Sequence, residues 1–343
     1  MMEEHVSLRE FNTFGVDSKA RWFARVRNER EVRDLATSSL LARHGHLVLG
    51  GGSNILFIGD VHAVVLFNEC KGIDVLEEDE ESVLVRFASG EIWHDCVTWA
   101  VDRSFAGLEN LALIPGTMGA APIQNIGAYG VEVESVIETV HAVRLDTGEL
   151  LHASRNECAF GYRDSVFKNG LRNACFITAV DCRLMKRAPI DVSYAELSRE
   201  SADNGIANPG SRDVFDAVVA IRTRKLPDVR VLGNAGSFFK NPVVSPAAAH
   251  TMADAYPDMP MFATDNGMKL SAAWLIDRCG CKGRRRGDAA VYEGHALVLV
   301  NHGCASGREL LDLAGEVEAT VRERFGVELE REVRIIDMQK RGD

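Results

Sequence analysis

The chain has 343 residues, of which 46% are hydrophobic, and it carries a formal net charge of −11 at pH 7. This length exceeds what one hydrophobic core usually organises, so we expect two or three well-packed lobes, and the hydrophobic content excludes extended disorder. The acidic balance disfavours nucleic acid or an anionic membrane as a partner, and no apolar stretch approaches the roughly 18–20 residues that span a bilayer.

The N-terminus and the cysteines indicate an intracellular protein. Met1-Met2-Glu3-Glu4-His5 shows no positive region followed by an apolar run, so we expect no signal peptide and a cytoplasmic location. The eight cysteines are scattered and form no Cys-x-x-Cys pair, so we expect reduced, mostly buried thiols. No sequence motif for a metal site is present, and we predict none.

The first predicted elements are a helix and three strands. Residues Arg30 to Arg43 carry apolar side chains at helical spacing, and the strand His46–Leu49 follows. Two further strands, Ile55–Ile58 and Val64–Phe67, lie on either side of a Gly59-Asp60 turn.

A glycine loop, Gly50-Gly51-Gly52-Ser53-Asn54, joins the first of these strands to the second. Consecutive glycines expose backbone N–H groups and can form an anion-binding nest, so the loop is a candidate phosphate cradle. A plain glycine turn remains the alternative. The loop does not match the Rossmann fingerprint, because Ile55 stands where the third glycine belongs and strands follow instead of a helix.

An acidic hairpin and an uncharged loop come next. The run Glu77–Glu81 lies between the apolar Ile73–Leu76 and the alternating Val83–Phe87, which predicts a hairpin with a solvated tip.

From Asn110 to Val131 the chain has no charged residue but holds four glycines and two prolines. Such a stretch suits close packing against a flat ligand, or else a buried connection between lobes. A candidate phosphate-binding loop together with an uncharged, glycine-rich loop suggests that the ligand is a flavin dinucleotide.

Two polar positions in the middle of the chain are candidates for substrate binding. Arg163 stands between Tyr162 and Asp164, and its guanidinium could hold a carboxylate, unless it only pairs with Asp164. Tyr194 lies in a region that ends in Asn204-Gly205 and Asn208-Pro209-Gly210, which predicts a mobile loop.

The segment from Gly233 to Pro242 contains Gly236-Ser237-Phe238-Phe239. Gly236 would let a ligand approach Ser237, and the two aromatic rings would exclude water, so Ser237 could deliver a proton in a dry site. The alternative is a serine that only hydrogen-bonds its own turn. No Gly-x-Ser-x-Gly motif is present, which excludes the common hydrolase arrangement. The basic run Lys282–Arg286 indicates either a phosphate contact or a solvated loop.

The last elements are a capped helix and a strand. Ser306 to Glu309 has the form of a capping box, apolar residues follow at helical spacing, and Gly326 is placed to stop the helix. Residues 327–336 predict a closing strand in which Glu332 and Arg334 share one face and Arg331 lies on the other. Because strands alternate irregularly with helices, the fold class is α+β and not a doubly wound sheet.

Seven motifs in this order are similar to a known family. They are Asn12-Thr13-Phe14-Gly15, Gly51–Asn54, Ile114–Gly130, Gly161–Ser165, Lys225-Leu226-Pro227, Gly236–Pro242 and Glu332-Val333-Arg334. The chain resembles the UDP-N-acetylenolpyruvoylglucosamine reductases, flavoenzymes of bacterial peptidoglycan synthesis. The resemblance runs from about Phe11 to Ile336, nearly the whole chain.

The resemblance implies a two-lobe FAD-binding domain of the PCMH or vanillyl-alcohol-oxidase type and a C-terminal α+β substrate-binding lobe. We expect the first lobe at 1–71, with 327–343 returning to it or to the active-site cleft, the second lobe at 72–225 and the third at 226–326. Non-covalent FAD would contact both glycine loops, at Gly50, Gly51, Gly52, Ser53, Asn54, Ile55, Ile114, Pro115, Gly116, Gly119, Ala120, Ile123 and Gly127.

The resemblance also implies the reaction. NADPH would reduce the flavin, and hydride would then pass to the vinyl carbon of an enolpyruvyl UDP-sugar. By motif, Ser237 would donate the proton, while Arg163 and Glu332 would polarise the substrate carboxylate. We assign substrate binding to Tyr194, Lys225, Asn241, His295 and Arg334, and the Tyr194 segment suggests the subtype with a tyrosine loop.

Three positions depart from the family's usual pattern. Arg331 stands where a proline or an apolar residue is common, and we expect little effect because it should point away from Glu332. His295 falls where some relatives have an amide, which leaves its hydrogen-bonding role open. Met118 is a tolerable apolar variant.

The prediction is thus a cytoplasmic, FAD-containing reductase that forms UDP-N-acetylmuramate as a monomer. The alternatives are a flavin- or UDP-sugar-binding sensor without catalysis, and a flavin oxidase of the same fold. The joint presence of Arg163, Ser237 and Glu332 disfavours the sensor.

Overall fold

A computed structural model describes residues 2–187, 190–264 and 266–338. The chain divides into two compact units. The first consists of Met1–Val6, Ala20–Gly51 and His62–Arg224, and the second consists of Ser7–Lys19, Gly52–Val61 and Lys225–Asp343. The predicted division into three lobes stays a prediction, and residues 339–343 of the segment predicted to return lie outside the described residues.

The strands of the described residues are short in the second half of the chain and longer in the first. They are β1 (Met2–Ser7), β2 (Lys19–Val26), β3 (His46–Leu49), β4 (Ile55–Phe57), β5 (Val61–Asn68), β6 (Ile73–Glu78), β7 (Ser82–Ala88), β8 (Gly127–Ala128), β9 (Val131–Glu132), β10 (Ile137–Arg144), β11 (Leu150–Ser154), β12 (Cys175–Met185), β13 (Gly233–Ser237), β14 (Val243–Val244), β15 (Met261–Thr264), β16 (Gly267–Leu270), β17 (Arg285–Arg286), β18 (Ala289–Val291), β19 (Val298–Asn301) and β20 (Arg334–Ile336).

The helices are distributed over both units. They are α1 (Glu29–Ala36), α2 (Ser39–His44), α3 (Trp93–Asp102), α4 (Ala195–Asp203), α5 (Ser211–Lys225), α6 (Pro246–Ala255), α7 (Ala272–Arg278) and α8 (Gly307–Phe325). Single-turn or short 3-10 helices occur at Arg9–Phe11, Glu109–Leu111, Met118–Ile123 and Val133–Ser135.

The first unit contains two main sheets. One has the strand order β1-β2-β5-β3, and the other is a five-stranded sheet of order β11-β10-β12-β7-β6. In the second sheet the neighbouring strands are antiparallel. Its inner face packs against α3 and the uncharged loop through a core that includes Phe87, Trp93, Val97 and Met118, each at most 1% exposed. Burial of these apolar side chains supplies the main driving force for the folding of this unit.

The second unit is built on smaller sheets. One has the order β13-β19-β18-β17 and a second the order β14-β16-β15, while β20 pairs in parallel with β4. The parallel pair brings Arg334 opposite Ile55. Helix α8 contacts β18 and β19 through one apolar face that includes Leu310, Leu313 and Val317, all fully buried.

The structure confirms the elements that short stretches of sequence predict most directly. The strand at His46–Leu49, the acidic hairpin of β6 and β7 and the mixed α+β class are confirmed. So is the capping box: Ser306 accepts from the backbone of Glu309, whose side chain accepts from the backbone of Ser306. Gly326 ends α8 with a left-handed φ of 66°.

Three predicted elements differ from the structure. The helical stretch from Arg30 to Arg43 is two helices, because Thr37 and Ser38 hydrogen-bond back to the carbonyls of the last turn of α1. The closing strand is regular only at β20, and Arg331 makes an isolated bridge with Phe239. The region after Tyr194, predicted as a loop, forms α4 with Tyr194 at its N-cap.

Candidate active site

The first glycines of the phosphate-cradle candidate lie in the first unit against the uncharged loop. A Cβ at Gly50 would be 2.6 Å from Thr117 Oγ1, and one at Gly51 would be 3.1 Å from the Cα of Gly116. Only glycine lets the first loop approach the Thr117 side chain and the Gly116 backbone this closely. Within the first unit, Gly50, Gly51 and the loop that begins after Asn110 therefore form one surface.

That surface fits a flavin cofactor in its chemistry. Thr117 Oγ1 is buried and finds no hydrogen-bond partner among the described residues. A buried hydroxyl without a partner costs about 1–3 kcal/mol, which favours a polar group supplied by a ligand. Two isoleucines at the uncharged loop are exposed: Ile92, which forms a bridge with Thr117, by 50%, and Ile123 by 39%. Exposed apolar side chains around backbone polar groups suit an aromatic ring system.

The rest of the cradle candidate belongs to the second unit. Gly52 has a φ of 60°, and a Cβ there would clash with the carbonyl of Phe11. Thr13 donates its backbone N–H to the Gly52 carbonyl over 3.1 Å. The motif that begins at Asn12 thus shapes the glycine loop, which explains why these distant segments share a unit.

The uncharged loop is partly internal and partly accessible. Gly119 is buried, and its N–H donates to the Ser89 carbonyl over 2.8 Å. The other predicted cofactor residues of the loop are at least partly exposed: Ile114, Pro115, Gly116, Ala120, Ile123 and Gly127. The loop is therefore a buried connection on one side and a candidate ligand surface on the other.

Arg163 is held in a strained turn of the first unit. Its φ is 55°, a left-handed conformation that costs energy in a residue with a side chain. Its guanidinium donates to the Gly127 carbonyl over 2.6 Å and lies 3.9 Å from the carboxylate of Glu132. Asp164 accepts hydrogen bonds from Asn169 at both carboxylate oxygens, and a pair between Arg163 and Asp164 stays an alternative.

Tyr194 contacts Tyr129, a residue of the uncharged loop to which the sequence assigned no role. Its ring meets the ring of Tyr129 edge to face, with centroids 5.3 Å apart, and 47% of Tyr194 is exposed. Burial raises the pKa of Tyr129 to about 12, while a hydrogen bond with Arg222 opposes the shift. Burial also lowers the pKa of Arg222, whose Nε is buried without a hydrogen-bond partner among the described residues.

Ser237 ends β13 at an irregular point in the second unit. The register between β13 and β19 shifts between Asn234 and Ser237, and Gly236 takes a φ of 67°. Phe238 and Phe239 are at most 1% exposed, whereas Ser237 is half-buried. A bulge of this kind redirects a side chain away from the regular sheet pattern. Ser237 thus lies at the end of a strand and not in an isolated turn.

The segment that carries Glu332 runs beside the segment that carries Ser237. The Glu332 N–H donates to the Phe238 carbonyl over 2.8 Å, and the Lys240 N–H donates to the Glu330 carbonyl over 2.8 Å. On its other side, Asn54 donates from Nδ2 to the Glu332 carbonyl over 3.3 Å. Within the second unit the structure therefore brings together Ser237, Glu332 and the end of the glycine loop.

The other predicted substrate residues of the second unit occupy separate elements. Asn241 accepts at Oδ1 from the N–H of Ala272, at the start of α7. His295 lies in the turn between β18 and β19 and accepts at Nδ1 from the N–H of Leu297. Lys225 is exposed at the end of α5, and Arg334 is the first residue of β20.

The basic run from Lys282 to Arg286 is engaged in surface ion pairs. Arg286 pairs with Glu316 of α8 over 2.7 Å, and Arg285 pairs with Asp288 over 3.1 Å. These contacts favour the solvated loop over a phosphate site. Among the described residues, no three His, Cys, Asp or Glu side chains are arranged to hold a metal ion. No helix in the same part of the chain is long and apolar enough to cross a membrane.

Comparison with protein families gives two matches along the chain. Residues 20–154 match an FAD binding domain family. Residues 227–336 match the family described as UDP-N-acetylenolpyruvoylglucosamine reductase, C-terminal domain.

Individual proteins agree with both matches. A UDP-N-acetylenolpyruvoylglucosamine reductase of Paraburkholderia xenovorans strain LB400 is 49% identical over 328 residues, which cover 95% of each chain. The crystal structure of the reductase of that name from Thermus caldophilus superposes with a TM-score of 0.69 at 25% identity, covering 98% of this chain and 99% of that one. A 6-hydroxy-D-nicotine oxidase from Arthrobacter nicotinovorans, at 14% identity and a TM-score of 0.50 over 91% of this chain and 82% of that one, shares the fold.

Proposed function

Because the chain belongs to the UDP-N-acetylenolpyruvoylglucosamine reductase family, we propose that it uses NADPH to reduce UDP-N-acetyl-3-O-(1-carboxyvinyl)-glucosamine to UDP-N-acetylmuramate. It is a flavin-dependent oxidoreductase of peptidoglycan synthesis with an FAD-binding fold of the vanillyl-alcohol-oxidase type. The assignment of the nicotinamide donor and of each residue's role is the proposal.

FAD would be held by the two glycine loops described above. Gly50 and Gly51 keep the first loop close to Gly116 and Thr117, and Ser53 and Asn54 add polar groups at its end. When bound, FAD supplies hydride, taken from NADPH, to the terminal vinyl carbon of the substrate. The protein's part is to orient the substrate, to exclude water and to deliver the proton.

Arg163 and Glu332 would act on the substrate carboxylate. Negative charge develops on this group during hydride addition, and a fixed guanidinium stabilises it most in the transition state. The strained backbone and the hydrogen bond to Gly127 preorganise Arg163 for this task. Glu332, on the segment beside Ser237, would help to polarise the same carboxylate and to stabilise the enolate-like intermediate.

Ser237 would then protonate the carbon next to the carboxylate. The bulge at Gly236 orients its hydroxyl independently of the sheet, and Phe238 and Phe239 keep the surroundings apolar. The single observation that carries the proposal is the hydrogen bond between Phe238 and Glu332, since it holds the proton donor and the carboxylate contact on neighbouring segments.

The remaining polar residues would bind the UDP-sugar. Asn241 uses its side-chain oxygen within the protein, which leaves its NH₂ group to donate to substrate. Lys225 and Arg334 would provide positive charge for the diphosphate. His295 and the tyrosine of the α4 N-cap, Tyr194, complete the proposed set. We further propose that the protein is cytoplasmic and monomeric.

One anaerobic experiment separates this function from its alternatives. The purified protein should carry FAD, NADPH should bleach it, and the enolpyruvyl UDP-sugar should restore the flavin absorbance with formation of UDP-N-acetylmuramate. A sensor would bind the sugar without restoring the absorbance. An oxidase would regain its absorbance with oxygen and without the sugar. Either result would remove the proposed function.

A further inference from the structure

Arg331 makes an unexpectedly ordered contact one residue before Glu332. Its Nε lies 2.5 Å from Oε1 of Glu318, and its Nη2 lies 2.7 Å from Oε2 of the same carboxylate. Two parallel N–H···O bonds fix both distance and orientation, which a single point charge does not. Glu318 belongs to α8, whose apolar face is part of the core of the second unit.

The contact is not an ordinary surface ion pair. The Arg331 and Glu318 side chains are 35% and 23% exposed, and Arg331 pairs across the bridge with Phe239, which is 1% exposed. Leu329 and Val333, which share the face of Arg331 in an extended chain, are 8% and 3% exposed. Arg331 is thus the charged member of a buried face, and Glu318 compensates its charge.

This arrangement limits the direction in which the Glu332 side chain can point. Neighbouring side chains of an extended segment point to opposite sides, so a guanidinium fixed toward α8 fixes Glu332 on the side away from α8. The regular strand begins only at Arg334, so residues 330–332 depend on isolated contacts for their orientation. The contacts of this short stretch include the backbone bonds to Phe238 and Lys240, the bond from Asn54 to the Glu332 carbonyl, an ion pair between Lys240 and Glu330, and the bidentate pair of Arg331.

We propose that Arg331, through its bidentate contact with Glu318, is a positioning residue that sets the orientation of Glu332 toward the substrate carboxylate. The inference rests on the proposed role of Glu332. It replaces the expectation that Arg331 has little effect. The pair should matter for the step in which the substrate is reduced and not for the step in which NADPH is consumed.

The test compares variants of the FAD-loaded enzyme by stopped-flow spectroscopy of the two half-reactions. Arg331→Met keeps the length of the side chain but loses the fork, and Glu318→Gln keeps the shape of its partner. We expect Arg331→Met to slow flavin reoxidation by the enolpyruvyl UDP-sugar about tenfold or more, because small misplacements of reacting groups are costly. Flavin reduction by NADPH should stay within about twofold of wild type.

Arg286→Met is the matched control, since Arg286 also pairs with a carboxylate of α8 but belongs to the basic run from Lys282 to Arg286. It should leave both half-reactions unchanged. Glu318→Gln should also slow flavin reoxidation by the enolpyruvyl UDP-sugar, as Arg331→Met does. The double variant should be no slower in this step than the slower single variant, as expected for two residues that act as a pair. Arg331→Lys should recover part of the loss.

Two results would overturn the inference alone. In the first, the flavin of Arg331→Met and Glu318→Gln is reoxidised as fast as the flavin of Arg286→Met. In the second, both variants slow the two half-reactions equally and have a lower melting temperature, which would indicate a purely structural pair. If Arg331→Met does not fold, Glu318→Gln and Arg331→Lys decide the question by the same criteria. A wild-type enzyme that does not reduce the UDP-sugar at all would remove the proposed function and this inference together.

Discussion

Arg163 adopts a backbone conformation that few residues with a side chain tolerate, and it is not alone. Asn125 and Tyr129 also have left-handed φ values, of 45° and 49°. The segments that carry Asn125 and Arg163 are linked, because Asn125 donates to the Gly161 carbonyl and Arg163 donates to the Gly127 carbonyl. Strain held in place by such bonds is characteristic of sites whose geometry is set for function. The proposed carboxylate contact therefore begins from a preorganised guanidinium.

Asp181 gives a prediction about stability and pH. Burial opposes its ionisation, but hydrogen bonds from Arg86 and His141 outweigh burial and lower the pKa of Asp181 to about 2. A lowered carboxyl pKa stabilises the folded state above the unfolded pKa of about 4, and this stabilisation is lost as the pH falls toward 2. Asp181→Asn should thus cost about 2 kcal/mol at pH 7 and progressively less below pH 4.

Urea unfolding of wild type and Asp181→Asn at pH 7 and at lower pH measures this difference. Asp146→Asn is the control, because the pair between Asp146 and Arg144 is exposed, and that variant should unfold like wild type. A difference between Asp181→Asn and wild type that stays the same at every pH would show that ionisation of Asp181 is not the cause.

Gly50 gives a prediction about the cofactor. A Cβ at this position would lie 2.6 Å from Thr117 Oγ1. Overpacking of this kind costs about 1–3 kcal/mol, so Gly50→Ala should weaken FAD binding about tenfold. The addition of Thr117→Ala removes the atom that clashes and should restore part of the affinity. Titration of the apoprotein with FAD checks both variants, and an unchanged affinity in Gly50→Ala would show that the two loops do not form the FAD site.

At the level of elements, α8 has an interior glycine that its structure does not need. A Cβ added at Gly315 would meet no atom within 4 Å, and the residue has no positive φ. Gly315→Ala should therefore stabilise the protein by about 0.5–1 kcal/mol, because alanine loses less backbone entropy in a helix. Gly326, with its φ of 66°, is the opposite case, and Gly326→Ala should destabilise the protein. Thermal unfolding distinguishes the two, and equal shifts in both would contradict the assignment of the helix end.

The elements also show what local sequence can predict. The capping box of α8 and the strand β3 depend on residues close together in the chain, and both were predictable. The break between α1 and α2 depends on side chains of Thr37 and Ser38 that bond back to the backbone, which competes with a helical pattern otherwise continuous. The short length of β20 depends on its partner β4, far away in sequence.

The candidate site was predictable only where motifs carried it. The local sequence made Ser237, Arg163 and Glu332 candidates, the resemblance assigned their roles, and these roles stay predictions. The contact between Tyr129 and Arg222 was not predictable, since the two residues lie far apart in the sequence and nothing local signals their hydrogen bond. Tyr129 belongs to one of the seven motifs and Arg222 to a basic stretch of α5, but neither pattern indicates a partner.

At the level of the whole molecule, the residues proposed for catalysis are distributed over both compact units. Arg163 and the whole uncharged loop belong to the first unit, while Ser237, Glu332 and the end of the glycine loop belong to the second. Each unit holds its own residues with contacts that do not involve a ligand. We expect the protein to be an active monomer, so light scattering coupled to gel filtration should give a mass near 37.6 kDa. A larger species that loses activity on dilution would contradict this.

Ser237→Ala, followed through a single turnover, tests the central claim most directly. The variant should bind FAD and accept reducing equivalents from NADPH at a rate near that of wild type. Its reoxidation by the enolpyruvyl UDP-sugar should fall about 10²–10⁴-fold, the usual contribution of one positioned proton donor. Reoxidation at the wild-type rate, or an equal loss in both half-reactions, would contradict the assignment of Ser237 as the proton donor.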